Sequence, residues 1–423
     1  MQLSTHSPDE TLAGRDLSML LAVSAFMITA RVPMGFVLLA LGPMVLIVIR
    51  GLRRHTGLEL APLRALVGSM LACGLLGGLV HGQLASTGSS LAVAITVALV
   101  AAGALFTGTP RRGAERLLDG SMAGLLFHWA VSMGEAITGF KLLPIMYPGA
   151  NTIQHVTTHR FFVTSLYPNY NDYSVSMTLL VCLVLAQMLF RTRVHPLLKL
   201  GRLVVLLTAI FEVAYMGSRG CLAAMVVVAL VLLVQSIRAV RPGAIGVRIV
   251  TLALLMAVAV VIGVVSSPWL ADNSAAQRGV IAGRIRDLLV ANPLAALVGH
   301  GSYAGYQAAA DAAYPNALMD PHNLLLEIIV VFGIPTLLAY LACWWTVVRH
   351  DVLGRDGLRD WRSVALGTIV AVYPLIGVVT SSTLRYYLAW LFLVVALGRR
   401  AALRREERRS SEEERTTGRR SSY

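Results

Sequence analysis

Repeated apolar runs, each close to the length of one bilayer crossing, dominate this chain and leave few folds open to it. A helix of about 20 residues covers the roughly 30 Å hydrocarbon core of a membrane, and such runs recur from near the N-terminus to residue 398. With 56% hydrophobic and only 14% charged residues in 423, the chain reads as an integral membrane protein and not as a soluble enzyme. Twelve spans are expected, at about 17–31, 33–50, 65–83, 90–108, 117–137, 173–190, 203–217, 219–236, 249–267, 323–347, 363–380 and 384–398. The expected fold class is an all-α polytopic membrane protein: one transmembrane domain over 1–398, with a large extracytoplasmic loop before helix 10. No small-residue cleavage site follows the first apolar run, which is therefore read as a retained span.

Orientation follows from the cations. With a cytoplasmic N-terminus, all but eight of the 36 Lys and Arg fall on inner loops and tails, in clusters such as Arg53-Arg54, Arg111-Arg112 and Arg349/Arg355/Arg359/Arg362. The eight outside are Arg31, Lys141, Arg160, Arg219, Arg278, Arg284, Arg286 and Arg385. This asymmetry supports an even number of spans with both ends inside. It also explains the formal charge of +14 as topological charge beside anionic head groups, not as a nucleic-acid signal. Residues 399–423, rich in Arg, Glu and Ser, read as a disordered cytoplasmic tail. Cys73, Cys182, Cys221 and Cys343 each fall in a different span without a CxxC partner and read as packing residues.

Two outer connections are long enough for chemistry, about 138–172 and 272–322. The first carries Lys141, His155, His159 and Arg160, then Tyr167-Pro168-Asn169-Tyr170-Asn171-Asp172. The second carries Arg278, Arg284 and Arg286 and closes on Asp320-Pro321-His322-Asn323, where a new apolar run begins. A guanidinium presents a planar fork of donors that fits phosphate oxygens bidentately, so converging arginines suit a diphosphate. A lipid-linked diphosphate would keep its isoprenoid tail among the spans and its head group at these loops. Histidine adds a group that can accept a proton from an attacking hydroxyl.

Each element also has a plainer reading. Asp-Pro-His-Asn is a good helix start, with Asp320 as N-cap and Pro321 in the first turn. Arg219 could snorkel from a tight turn, and Arg385 beside Tyr386 and Tyr387 looks like an aromatic-belt anchor. His155 and His159 lack a carboxylate or cysteine at zinc-ligand spacing. Glu327, one turn into span ten, is a candidate supporting group for His322.

The pattern resembles the O-antigen ligase and polymerase family of bacterial membrane glycosyltransferases. The resemblance is carried by Ser218-Arg219-Gly220 opening a span, Gly283-Arg284, Asn292-Pro293-Leu294, Gly299-His300-Gly301, and Pro321-His322-Asn323 running through Glu327 to Gly333. Pro168-Asn169-Tyr170-Asn171-Asp172 also looks like an Asn-bearing stretch ahead of a middle span in such proteins. The local match covers about 170–345; the rest agrees in topology.

The resemblance implies a metal-independent, inverting transfer of a glycan from undecaprenyl diphosphate to a hydroxyl of an acceptor sugar, without a cofactor. His322 would be the essential histidine; Arg219 and Arg284 would hold the diphosphate, with Arg286 as a third cation. Asp287-Leu288-Leu289 stands where the family usually has an aromatic, so Arg284 and Arg286 both stay candidates for the family arginine. Asn169, Asn171, Asn323 and Glu327 are the supporting set. The implied partners are the lipid-linked glycan donor, a lipid-anchored core or growing glycan as acceptor, and membrane lipids. The expected location is the bacterial inner membrane, with the active site on its periplasmic or external face. An O-antigen ligase acting in lipopolysaccharide synthesis is favoured over an O-antigen or capsule-type polymerase, because the single large late loop with paired arginines and terminal histidine matches that group best. An envelope lipid or glycan transporter is the alternative from another class; transporters usually place ionisable groups at mid-membrane depth.

Overall fold

A computed structural model describes residues 8–31, 61–106, 110–146, 163–191, 194–239, 274–317, 319–354, 360–378 and 387–420. The expected spans 33–50 and 249–267, together with His155, His159, Arg160 and Arg385, lie outside the described residues. Within them the chain is helical and contains no strand. The helices are α1 (Pro8–Thr29), α2 (Ala61–Val80), α3 (Gly88–Phe106), α4 (Pro110–Thr138), α5 (Leu143–Met146), α6 (Tyr170–Phe190) and α7 (Pro196–Tyr215). There follow α8 (Arg219–Arg238), α9 (Ser274–Ala291), α10 (Pro293–Val298), α11 (Tyr303–Ala313), α12 (Leu324–Val347), α13 (Trp361–Ile376) and α14 (Tyr387–Arg420).

Among the described residues, four helices are long and apolar enough to cross a membrane: α2, α6, α8, and α12 with the π-helical turn that extends it to Val352. The apolar part of α1 and the whole of α13 are shorter. Composition explains where each sits. Apolar on all sides, α6 is buried along nearly its whole length and packs against α4, α7, α8 and α13. On α7, by contrast, Val204, Leu207, Phe211 and Tyr215 form an exposed stripe at helical spacing, with Phe211 67% exposed. An apolar stripe turned outward suits lipid rather than water.

The polar connection 272–322 holds three helices, α9, α10 and α11. It is fastened to α12 at an internal break. Gly333 adopts φ +79 and ψ 176 inside α12, which interrupts the helical ladder and turns nearby carbonyls to other donors. Gly299-His300-Gly301 supplies them: His300 N donates to Val330 O at 2.9 Å and Gly301 N to Val331 O at 3.0 Å. Non-helical backbone at such a place is tolerated where it is buried in protein. Contact is so close that a Cβ on Gly77 of α2 would stand 2.6 Å from Gly301 N, and one on Gly333 would stand 2.1 Å from Leu297 O.

The far end of the bundle is tied by ion pairs. Arg399 of α14, 3% exposed, reaches Asp360 at 2.6 Å and Glu115 of α4 at 3.8 Å, and donates to Ser363 Oγ. Arg400 meets Asp351 at 3.6 Å, and Arg362 meets Asp119 at 3.3 Å. Residues 399–420, within the stretch expected to be a disordered tail, continue α14 in helical geometry. Ala, Arg and Glu are strong helix formers, and Arg111 at the start of α4 meets Glu406 at 3.4 Å.

Candidate functional site

Opposite the ion-paired end, α6, α8 and α12 begin, the first two packed against each other. Ser218, at the N-cap position of α8, donates through Oγ to Asn171 Oδ1 in the first turn of α6 at 3.4 Å. Asp172 in the first turn of α6 and Glu327 in the first turn of α12 both lie within electrostatic range of the Tyr373 hydroxyl on α13. Unsatisfied N–H groups give each helix start partial positive charge and make it a favourable place for an anion. Asn169 caps α6, accepting from Asp172 N at 2.8 Å and donating to Asp172 Oδ2 at 3.0 Å. Asn323 caps α12, accepting from Leu325 N and Leu326 N at 2.9 and 3.3 Å. Thus Asn169 and Asn323 serve first as helix caps, and Asn171 as a link between α6 and α8.

The arginines differ in placement. Arg219 is the first residue of α8 and is exposed. Arg284 is half-buried, its guanidinium 5.6 Å from the centre of the Tyr314 ring. Arg286 is exposed and pairs with its neighbour Asp287 at 2.9 Å. Residues two apart on a helix point about 200° apart, so Arg284 and Arg286 leave α9 on opposite sides. Arg278 shares the face of the buried Ile281 and Ile285 and comes within electrostatic range of Cys221, near the start of α8. Arg31, just past α1, lies 5.1 Å from the centre of the Tyr167 ring. Cations from α8, α9 and the end of α1 therefore border the end of the bundle where α6, α8 and α12 start.

No family model and no curated protein matches this chain.

His322, the residue before the α12 cap, has φ +45, a left-handed conformation that costs a non-glycine residue on the order of 1–3 kcal/mol and persists only where its surroundings hold it. That conformation corrects the reading of Asp320 as N-cap and Pro321 as the first helical residue. A left-handed residue cannot continue an α-helix, so α12 starts after it, capped by Asn323. Asp320 instead closes the preceding turn, accepting from His322 N at 3.3 Å. Beneath it, Tyr306 OH donates to Met319 O at 2.5 Å, and Tyr303 OH donates to Asp320 while accepting from Gln307 Nε2 at 3.0 Å. Burial, then Asp320 and Glu327, push the Tyr303 hydroxyl up; burial, then Tyr303 and the same two acids, push up Tyr306. Both phenols therefore stay protonated and act as donors. Glu327 is fully buried.

Tyr303, Tyr306 and Tyr373 were not singled out from sequence, and Asp172, Arg31 and Arg278 were named there without a role in the site. Tyr303 and Tyr306, spaced i and i+3 behind the capping Ser302, were the legible pair: Ser302 Oγ accepts from Gly305 N at 2.8 Å, and the spacing puts both rings on one helical face. A second buried polar group lies between α4, α6 and α7. There Tyr173 OH donates to Glu212 Oε2 at 2.5 Å and Ser132 Oγ donates to Glu212 Oε1 at 2.9 Å.

Proposed function

We propose that this chain is a polytopic, twelve-span glycosyltransferase of the bacterial inner membrane, with both termini cytoplasmic. It transfers a glycan from undecaprenyl diphosphate to a hydroxyl of an acceptor sugar, without metal or cofactor, on the periplasmic or external face. The observation that carries the reading is that the starts of α6, α8 and α12, with Arg219, Arg278 and His322, lie at one end of the bundle, with Arg284 on α9 against Tyr314. Helix N-termini and guanidinium groups suit a diphosphate, and such groups stabilise leaving-group charge best in a partly dehydrated site. Arg219 and Arg284 hold the diphosphate with Arg278 beside them; Arg286, turned to solvent, contributes least. His322 takes the proton from the acceptor hydroxyl. O-antigen ligation onto a lipid-anchored core is the favoured reaction, and polymerisation onto a growing glycan the variant of it.

The test uses purified protein in lipid nanodiscs with a polyprenyl diphosphate-linked glycan donor and a core-glycan acceptor. Folded His322→Ala should transfer about 10²–10⁴-fold more slowly than wild type while binding donor with unchanged affinity. Transfer within threefold of wild type would remove His322 from the chemistry. A deletion strain separates the two acceptors: loss of capped core with long lipid-linked chains retained indicates a ligase, and single repeats still reaching the core indicate a polymerase.

The Glu212–Tyr173–Ser132 group favours a second reading, an envelope lipid or glycan transporter, because buried carboxylates inside a bundle are a common feature of proton-coupled carriers. Donor movement across protein-containing vesicles without product formation would select it.

A further inference from the structure

We infer that Tyr303, Tyr306 and Asp320 are positioning residues for His322, setting the direction of its ring rather than touching substrate. The inference rests on His322 as the candidate catalytic group and adds the machinery that aims it. His322 holds φ +45, and the segment before it is held in three places. Its own N–H is bonded to Asp320 Oδ1 at 3.3 Å, the Asp320 carboxylate accepts from Tyr303 OH, and the Met319 carbonyl accepts from Tyr306 OH at 2.5 Å. Immediately after His322, Asn323 caps α12. The backbone on either side is therefore fixed, and a left-handed residue between two fixed points has little freedom in where its side chain leaves the chain.

The support reaches further down. Tyr306 is fully buried and meets the His300 ring edge to face at 5.9 Å. His300 is fastened to the broken part of α12, its N–H and its Nδ1 both 2.9 Å from Val330 O. The Tyr303 hydroxyl is itself fixed by Gln307 one turn on along α11. The line from the α12 break through His300, Tyr306 and Met319 to His322 thus consists of buried or bonded groups throughout. A displacement of about 1 Å in a reacting group can cost a hundredfold in rate, so a phenol that never meets substrate still controls turnover.

The test compares Tyr306→Phe, Tyr303→Phe, Asp320→Ala and Asp320→Asn in nanodiscs, each checked for wild-type melting temperature. Tyr306→Phe and Asp320→Ala are expected to lower kcat by about tenfold to a hundredfold, with donor KM unchanged. Asp320→Asn, which keeps an acceptor oxygen for His322 N–H, is expected to retain activity within about threefold. A second readout needs no glycan: diethylpyrocarbonate acylation of His322, followed by mass spectrometry, should change rate in Tyr306→Phe and Asp320→Ala and stay at the wild-type rate in Asp320→Asn. Wild-type kcat and acylation rate in folded Tyr306→Phe and Asp320→Ala would overturn the inference. Should Asp320→Ala fail to fold, Tyr306→Phe and Tyr303→Phe decide it by the same two readouts. If wild type transfers no glycan, the proposed function fails, while the acylation rates alone still decide whether the frame positions His322.

Discussion

At the end of the bundle around Arg399, guanidinium groups are spent on carboxylates: Arg399 on Asp360 and Glu115, Arg400 on Asp351, Arg362 on Asp119, at 2.6 to 3.8 Å. At the end around His322, the described guanidinium groups of Arg31 and Arg284 lie over tyrosine rings, Arg219 is exposed at a helix start, and the backbone is strained at His322. Charge that is internally neutralised holds helices together and has little left for a ligand. A guanidinium lying over an aromatic ring keeps its charge, because the ring does not neutralise it. The proposed function assigns a structural role to the first end and the chemistry to the second.

The comparison is sharpened most by the arginines of the working end. Arg219→Ala and Arg284→Ala should each lower transfer by about 10²–10³-fold, and Lys in either position should restore it only in part, since the charge returns without the bidentate fork. Arg286→Ala should stay within about threefold, because a solvent-exposed pair is worth little. An Arg286→Ala loss as large as that of Arg284→Ala would break the distinction between the two faces of α9.

At the structural end the expected effect is on stability. Asp360→Ala leaves Arg399 without its closest carboxylate and should destabilise the protein by about 3 kcal/mol, read as a fall in melting temperature with kcat per folded molecule unchanged. A loss of kcat at unchanged stability would show that the two ends are not separate in role.

The smallest effect concerns His300. Burial holds its ring below the ordinary imidazole value of 6.5, offset in part by its bond to Val330 O, with His81 lowering it further. A carbonyl only accepts, so Nδ1 carries the proton and the neutral ring suffices. The folded state then binds fewer protons than the unfolded state once the pH drops below 6.5. The stabilisation is complete above that pH and is lost as pH falls toward the lower folded value. His300→Asn, which can keep a donor near Val330 O, should show a flatter dependence of melting temperature over that interval. Equal slopes for the two proteins would remove His300 from the pH response.

Much of this was readable from residue order. The length and apolarity of the runs at 61–80, 170–190, 219–238 and 324–347 directly encode helices, and Ser218-Arg219-Gly220 does open one of them. Gly299-His300-Gly301 and Gly333 stood out in the sequence, but their common purpose did not: a broken helix and the loop that satisfies it are 30 residues apart and are joined by tertiary hydrogen bonds that no local pattern specifies. The start of α12 was misplaced for a related reason. Asp-Pro is a strong local start signal, and it was overridden by the left-handed backbone at His322, which moved capping to Asn323. Tyr303 and Tyr373 escaped notice because each is unremarkable in its own segment and gains meaning only from neighbours on other elements.

The break in α12 has one more consequence. Chain leaves that helix's flank at His300, beside Val330, and returns at His322 just before its cap, so the intervening stretch is a loop closed by two hydrogen bonds to carbonyls of the helix it leads into. In such a loop the number of residues matters more than their identity. A single insertion among the exposed Asp311–Ala313 positions would strain the Tyr306–Met319 bond that spans them and so shift His322, whereas an insertion before Pro293 lies outside the loop.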